Sequence, residues 1–220
     1  MTLFIFGGRS TALEVAELAR ILHPAISLVH VVGNDEEPVG EGGIRLSRLA
    51  EAVRQLSAPA RGIITMAETR IRLQKMEAMA KAGLEPLTLI NPAATVSPSA
   101  EVGAGCYIAA GARISTRVRI GNHCLINLNA TVGHDSVAGA HLVVNPGAAI
   151  SGNVRLGERV LVGANAFLGQ SLTIGDDVQI DAMTQVTRDL PAGHLATSRT
   201  LRVVPRVDMK SQDMEEPNLN

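Results

Sequence analysis

Tryptophan is absent from this 220-residue chain, and one tyrosine and three phenylalanines are its only aromatic side chains of the Phe, Tyr, Trp class. A core without rings must be narrow and built from Val, Ile, Leu and Ala; with 46% hydrophobic residues the chain has enough of them for one. Cysteine is scarce too: Cys106 and Cys124 alone exclude the disulfide framework of a small secreted domain. A formal charge of −1 excludes both a disordered acidic chain and a basic nucleic-acid binder. Long apolar runs are missing as well. The opening MTLFIFGGRS has no basic head and an apolar stretch far too short to span a bilayer. Neither signal peptide, anchor nor membrane partner is expected, and the expected compartment is the cytoplasm.

What the chain does have is a repeat. Every sixth residue from Ile90 to Val186 is Val, Ile or Leu, with Ala138 the single exception among seventeen positions. Hexapeptide periodicity predicts a parallel β-helix in which three hexads make one triangular coil. Residues 90–185 make sixteen hexads, which at about 4.8 Å per coil build a prism about 25 Å tall. Four places on from each of these positions stands a second small or aliphatic residue, such as Ala100, Ala112 or Val118, which suits an inward side chain beside a tight corner.

A coil of three hexads also says which side chains stack. Cys106 and Cys124 should lie one above the other inside the prism as free thiols. Asn127 and Asn145 share an outward column, which suits either a hydrogen-bonded ladder or substrate contacts. His123 and His141 stack at a corner and read as surface or interface residues rather than metal ligands.

Residues 1–89 follow a different pattern. Strands at 3–6, 26–32, 62–66 and 86–90 alternate with helices over 11–22, near 47–57 and near 68–82, the order of a small Rossmann-like parallel α/β unit. Leu13, Val15, Leu18 and Leu22 mark one face of the first helix. Three regions follow: an α/β unit over 1–89, the prism over 90–190, and a C-terminal extension over 191–220, disordered from about 207. In such a sheet ligands bind at the carboxyl ends of the strands. Those ends carry Gly7, Gly8, Arg9 and Ser10, then Asn34 and Asp35, then Ala67 and Glu68. A glycine turn leading into a helix suits a phosphate.

Four stretches after this unit carry a family resemblance: NPAATVSPSAEVGAGCYIAAGARIS (91–115), IGNHCLINLNATVGHDSVAG (120–139), PGAAISGNVRLGERVLVGANAFL (146–168) and VTRDLPAG (186–193). They resemble the sugar acetyltransferases typified by the bacillosamine and perosamine N-acetyltransferases and the sialic acid O-acetyltransferases. The resemblance implies a left-handed β-helix, acetyl-CoA as co-substrate without a metal, and a homotrimer with sites between neighbouring prisms. It implies transfer to an amino or hydroxyl group of a sugar, commonly nucleotide-linked. On this chain it makes His134 the general base and Asp135 the acid that orients it. It assigns the nucleotide to the first unit, whose strand ends offer Gly8, Arg9, Ser10, Asn34, Asp35 and Ala67 as acceptor contacts, and it adds Asn127 for the acceptor and Ala164 and Ala182 for the coenzyme; Gly152 joins the coenzyme contacts by its stacking over His134.

Stacking adds a physical reason for the pair in VGHD. Gly152 follows His134 by one full coil, so the level above the imidazole carries no side chain, leaving room for a thioester and a backbone N–H for its oxyanion. An unperturbed imidazole titrates near neutral pH and can take a proton from an attacking amine or hydroxyl. The chain also departs from the family. Val143 stands where a second histidine is common, Ser10 and Thr11 replace glycine and histidine, Ala67 replaces a glycine, and ATSRTLRVVP replaces a Gly-x-Pro-Ala ending. The expected function is N-acetylation of a nucleotide-linked amino sugar in bacterial glycan biosynthesis. The alternatives are O-acetylation of a sialic-acid-like hydroxyl and a non-catalytic trimeric binding module.

Overall fold

A computed structural model describes residues 1–7, 10–32 and 43–198. The loop expected over 33–43 falls almost wholly outside the described residues, as does the tail from 207. The first unit is a five-stranded parallel sheet in the order β3-β2-β1-β4-β5. Its strands are β1 (Thr2–Phe6), β2 (Ser27–Val32), β3 (Gly43–Arg45), β4 (Ala60–Ile64) and β5 (Glu85–Pro86). The central β1, TLFIF, is buried along its whole length, as a parallel strand covered on both faces must be. The helices are α1 (Ser10–Leu22), α2 (Leu49–Arg54), which follows a 3-10 turn at Leu46–Arg48, and α3 (Thr69–Lys81).

Several boundaries differ from those expected. Strand β3 carries no apolar run and was not anticipated. Helix α2 ends at Arg54 rather than near 57. Helix α1 buries Ala12, Val15, Ala16, Leu18 and Ala19, while Leu13 is 56% exposed. Val15 and Leu18 of the expected face are buried, with Ala12, Ala16 and Ala19 beside them, while Leu13 and Leu22 lie outside it. The strand expected over 86–90 is divided. Pro86 lacks an N–H and ends an edge strand of the first sheet, whereas Leu89–Ile90 opens the prism.

The second unit is a left-handed parallel β-helix. Eighteen two-residue strands, β6 (Leu89–Ile90) to β23 (Leu195–Ala196), stack into three ladders. Face 1 has six strands and includes Thr131–Val132, face 2 has five and includes Val137–Ala138, and face 3 has seven and includes Val143–Val144. Strand partners stand three hexads apart, as in Ile114 beside Val132 and Val132 beside Ile150. The ladder carries on past residue 190, because β23 pairs with Gln179–Ile180. The core is the aliphatic column that the hexads define, and Ala138, its one small member, is 6% exposed. Cys106 and Cys124 are free and buried, with the Cys106 Sγ 3.3 Å from the Cys124 backbone N.

Every sixth residue from Gly105 to Met183 has a positive φ. These are the corners, and the left-handed conformation turns the chain from one face to the next. Eleven of them are not glycine, and seven of those are Asn, Asp or His, residue types that tolerate this region. The edge between faces 1 and 2 stacks Arg117, Asp135, Asn153 and Ser171. The edge between faces 2 and 3 stacks Gly105, His123, His141, Arg159 and Asp177.

Face 3 is where the two units meet. Its outward residues Tyr107, Leu125 and Val143 are buried in one apolar cluster with Leu3, Ile5, Val15 and Leu87. Val143, the site of the family's second histidine, is therefore a packing residue beneath α1, fully buried and on a different face from His134. Arg72 of α3 ties the units together. Its guanidinium is completely buried and donates to the carbonyls of Ile64 (3.2 Å), Met66 (2.6 Å) and His123.

Beside Arg72 the rings of His123 and His141 stack at 5.4 Å with 6° between their planes. Both are buried, at 9% and 5% exposure, so they form an interface within the chain rather than surface. Flat stacking sets their nitrogens in parallel layers, not around a common point, and among the described residues no group of three or more metal-ligating side chains occurs. Burial, then the Arg72 charge, pushes His141 down to about 4 and lowers His123 as well.

A pH dependence of stability follows. The native His141 stays neutral while the unfolded chain takes up its proton below about pH 6.5, so stability is lost as pH falls from there toward about 4. The expected loss is about 2–3 kcal/mol, read from urea midpoints at pH 7 and pH 4.5. His141→Gln should flatten this window.

Candidate active site

The turn between Thr131–Val132 and Val137–Ala138 puts His134 and Asp135 on the edge between faces 1 and 2. Asp135 takes the left-handed corner conformation (φ 60°), and its N–H bonds to the Thr116 carbonyl in the coil below. The corner turns its carboxylate back along the edge, where Oδ2 lies 2.8 Å from His134 Nδ1. Arg117, one coil below, donates through Nε to Oδ1 at 2.6 Å and through Nη2 to Oδ2 at 2.8 Å. The Arg117 guanidinium, and after it the His134 ring, hold the Asp135 carboxyl down at about 2. An ionised carboxylate can only accept, so Nδ1 carries a proton and, in the neutral ring, Nε2 presents a lone pair.

That lone pair lies over Gly152. A β-carbon built there would stand 2.6 Å from Nε2 and 2.7 Å from Cε1, so any side chain would displace the ring. Among the described residues no acceptor takes the Gly152 N–H. The His134 side chain is 51% exposed, open to a reactant on its outer side. Behind the edge, Ser136 is buried and its hydroxyl accepts from the Val154 N–H and donates to the Ser151 carbonyl, each at 3.1 Å. This bridge pins the coil that carries Gly152 to the coil that carries His134.

The remaining residues expected at the site are dispersed over the chain. Ala164 and Ala182 stack on the edge between faces 3 and 1, one coil apart and across face 1 from His134. Asn127 lies just before that same edge, and its Oδ1 accepts from the Leu128 N–H at 2.8 Å. It caps its own turn, and no hydrogen bond joins it to Asn145 among the described residues. In the α/β unit, Ser10 begins α1 and Ala67 follows β4, both exposed at the carboxyl ends of the strands. Gly8, Arg9, Asn34 and Asp35 lie outside the described residues.

Two further residues escaped the sequence reading. Thr65 lies against Gly7 at the end of β1: its hydroxyl donates to the Phe6 carbonyl at 2.9 Å, and a β-carbon on Gly7 would stand 2.4 Å from it. Arg117 precedes Asp135 by one full coil, so the stacking rule applied downward from the pair would have found it.

The proteins this chain is similar to are acyltransferases built on the same prism. The family model described as the hexapeptide repeat of succinyl-transferase matches residues 153–188. Among curated proteins no match is found. Among solved structures, the acetyltransferase domain of PglB from Neisseria gonorrhoeae is 32% identical, with 88% of this chain and 95% of that one covered and a TM-score of 0.77. A mutant of perosamine N-acetyltransferase from Caulobacter crescentus, solved with CoA and GDP-perosamine, is 29% identical over 89% of this chain and 92% of that one, with a TM-score of 0.80. WeeI from Acinetobacter baumannii, at 21% identity, 93% and 100% coverage and a TM-score of 0.83, shares the fold. The chain belongs to the hexapeptide-repeat sugar acetyltransferase family.

Proposed function

We propose that the protein transfers the acetyl group of acetyl-CoA directly to an amino group of a nucleotide-linked sugar, with His134 as general base. The observation that carries this reading is the His134 ring, held by Asp135 at Nδ1 with Nε2 over Gly152. Nε2 takes the proton of the attacking amine as nitrogen bonds to the thioester carbonyl, and the CoA thiolate leaves as the tetrahedral intermediate collapses. Asp135 stabilises the imidazolium that forms, and the Gly152 N–H is assigned to the developing oxyanion. An amino acceptor is favoured over a hydroxyl because the relative solved with its sugar ligand is an N-acetyltransferase bound to CoA and GDP-perosamine.

The α/β unit, residues 1–89, is assigned to the nucleotide, with Gly8, Arg9, Ser10, Asn34, Asp35 and Ala67 around it and Asn127 toward the sugar. Glycine-turn backbone at the carboxyl edge of β1 and the start of α1 suits a diphosphate. Bacterial glycan assembly in the cytoplasm is the setting this chemistry fits. Among the described residues no helix is long and apolar enough to cross a membrane.

A homotrimer is part of this reading. Coenzyme contacts assigned to Gly152 lie on one edge and those assigned to Ala164 and Ala182 on another, with face 1 between them. In this reading one pantetheine arm meets both sets where a second copy brings its own 3/1 edge against this chain's 1/2 edge, and three such heterologous contacts close a ring. Phe167 on face 1 and Met183 on the 3/1 edge are 42% and 71% exposed, an apolar strip suited to that contact.

The test is mass spectrometry of an acetyl-CoA reaction offered amino-sugar nucleotides and free sialic acids together. One acetyl added to an amino-sugar nucleotide, stable to mild base, is the expected product. A base-labile acetyl on a sialic acid would make the protein an O-acetyltransferase. Saturable acetyl-CoA binding with no product from any acceptor would favour a binding module.

A further inference from the structure

We infer that Arg117 is a positioning residue for the catalytic histidine, setting the Asp135 carboxylate so that one oxygen is always turned to His134 Nδ1. The inference rests on His134 being the base. The carboxylate has two oxygens and three donors. Arg117 Nε takes Oδ1 at 2.6 Å, and Oδ2 is shared by Arg117 Nη2 and His134 Nδ1, both at 2.8 Å. A bidentate fork fixes the plane of the carboxylate as well as its place. Without it Asp135, 29% exposed at a corner, is free to rotate and to bond to water.

Both Arg117 and Asp135 occupy left-handed corners, at φ 54° and 60°, and arginine is not among the residue types that favour that region. Arg159, at φ 59°, repeats the corner and the fork on the 2/3 edge with no imidazole bonded to Asp177 among the described residues, so what sets Arg117 apart is the His134 ring that shares its carboxylate. The fork also places a positive charge behind the carboxylate, which tempers how strongly Asp135 favours the imidazolium. The other charged groups near this edge are Arg113 on face 1, and on face 2 Arg155 and Arg119, the last paired with Glu101 at 3.6 Å. In the coil above, Gly152 and Asn153 bring no charge to the pair.

Arg117→Gln removes both fork and charge, and Arg117→Lys keeps the charge without the fork. In Arg117→Gln, kcat should fall about 10- to 30-fold with the KM for acetyl-CoA within about twofold, and the acid limb of kcat/KM should move to higher pH. Arg117→Lys should return the limb to its wild-type position but leave kcat low. Arg159→Gln serves as the control. Arg159 makes the same fork with Asp177, at 2.7 and 2.9 Å, on the 2/3 edge, and its loss should leave both kcat and limb in place. A kcat for Arg117→Gln within twofold of wild type, or a fall with the limb unmoved, overturns the positioning role. Full turnover in His134→Ala would instead remove the reading beneath it, so the two failures are told apart.

Discussion

His134→Ala should lower kcat/KM about 1,000-fold while leaving the fold and the dissociation constant for acetyl-CoA nearly unchanged. A positioned general base contributes about 10²–10⁴-fold, and the middle of that range is about 4 kcal/mol of barrier. Structural consequences are small because the side chain is half exposed on an edge, with Asp135 as its single hydrogen-bonding partner among the described residues. The coil above is tied to it by backbone bonds such as Asn153 N–H to the His134 carbonyl at 2.8 Å, which alanine keeps. Steady-state kinetics beside a thermal melt and a coenzyme titration check the claim. Equal turnover by wild type and variant would exclude His134 as the base. A collapse of coenzyme affinity with kcat intact would make the ring a binding contact.

The prism was legible because its signal is redundant. A strict six-residue period gives the inward column, three periods give the coil, and the coil gives each vertical neighbour. That arithmetic placed Gly152 over His134 and Cys124 over Cys106, and the structure bears out both placements. The same arithmetic run downward from Asp135 would have reached Arg117.

The α/β unit was less legible because its cues are packed by context. Leu13 looks like core by composition, yet alanines at 12, 16 and 19 let α1 approach the sheet and leave Leu13 outside. Stacking predicted that His123 and His141 adjoin but not that α3 would cover them. Their burial depends on Arg72, far earlier in the chain, donating to the His123 carbonyl. Val143 shows the same effect. Position in a family motif suggested a lost catalytic contact, whereas its neighbours Leu3, Ile5 and Val15 make it part of the joint between the units. Side-chain identity along a ladder is local information, and what another unit presses against that ladder is not.

The separation of the two edges leads to the second large effect, which concerns the assembly. Ala182→Trp puts an indole on an exposed corner of the 3/1 edge, where the fold has room for it and the proposed pantetheine path does not. Alone, this variant should lose coenzyme binding, and His134→Ala alone should lose turnover. In a ring where each site takes His134 from one copy and Ala182 from the next, co-expression of the two variants rebuilds wild-type sites in about a quarter of the interfaces, by random assortment of copies. Activity near a quarter of wild type from two nearly dead parents is a gain on the order of 100-fold or more, given the loss expected of a missing base. Were both residues to serve one site within a single chain, no mixture of the variants could restore it, and activity would stay at the level of the parents. Recovery thus reports the shared site directly, independent of any measurement of mass, and it ties the position of Ala182 across face 1 from His134 to a catalytic outcome.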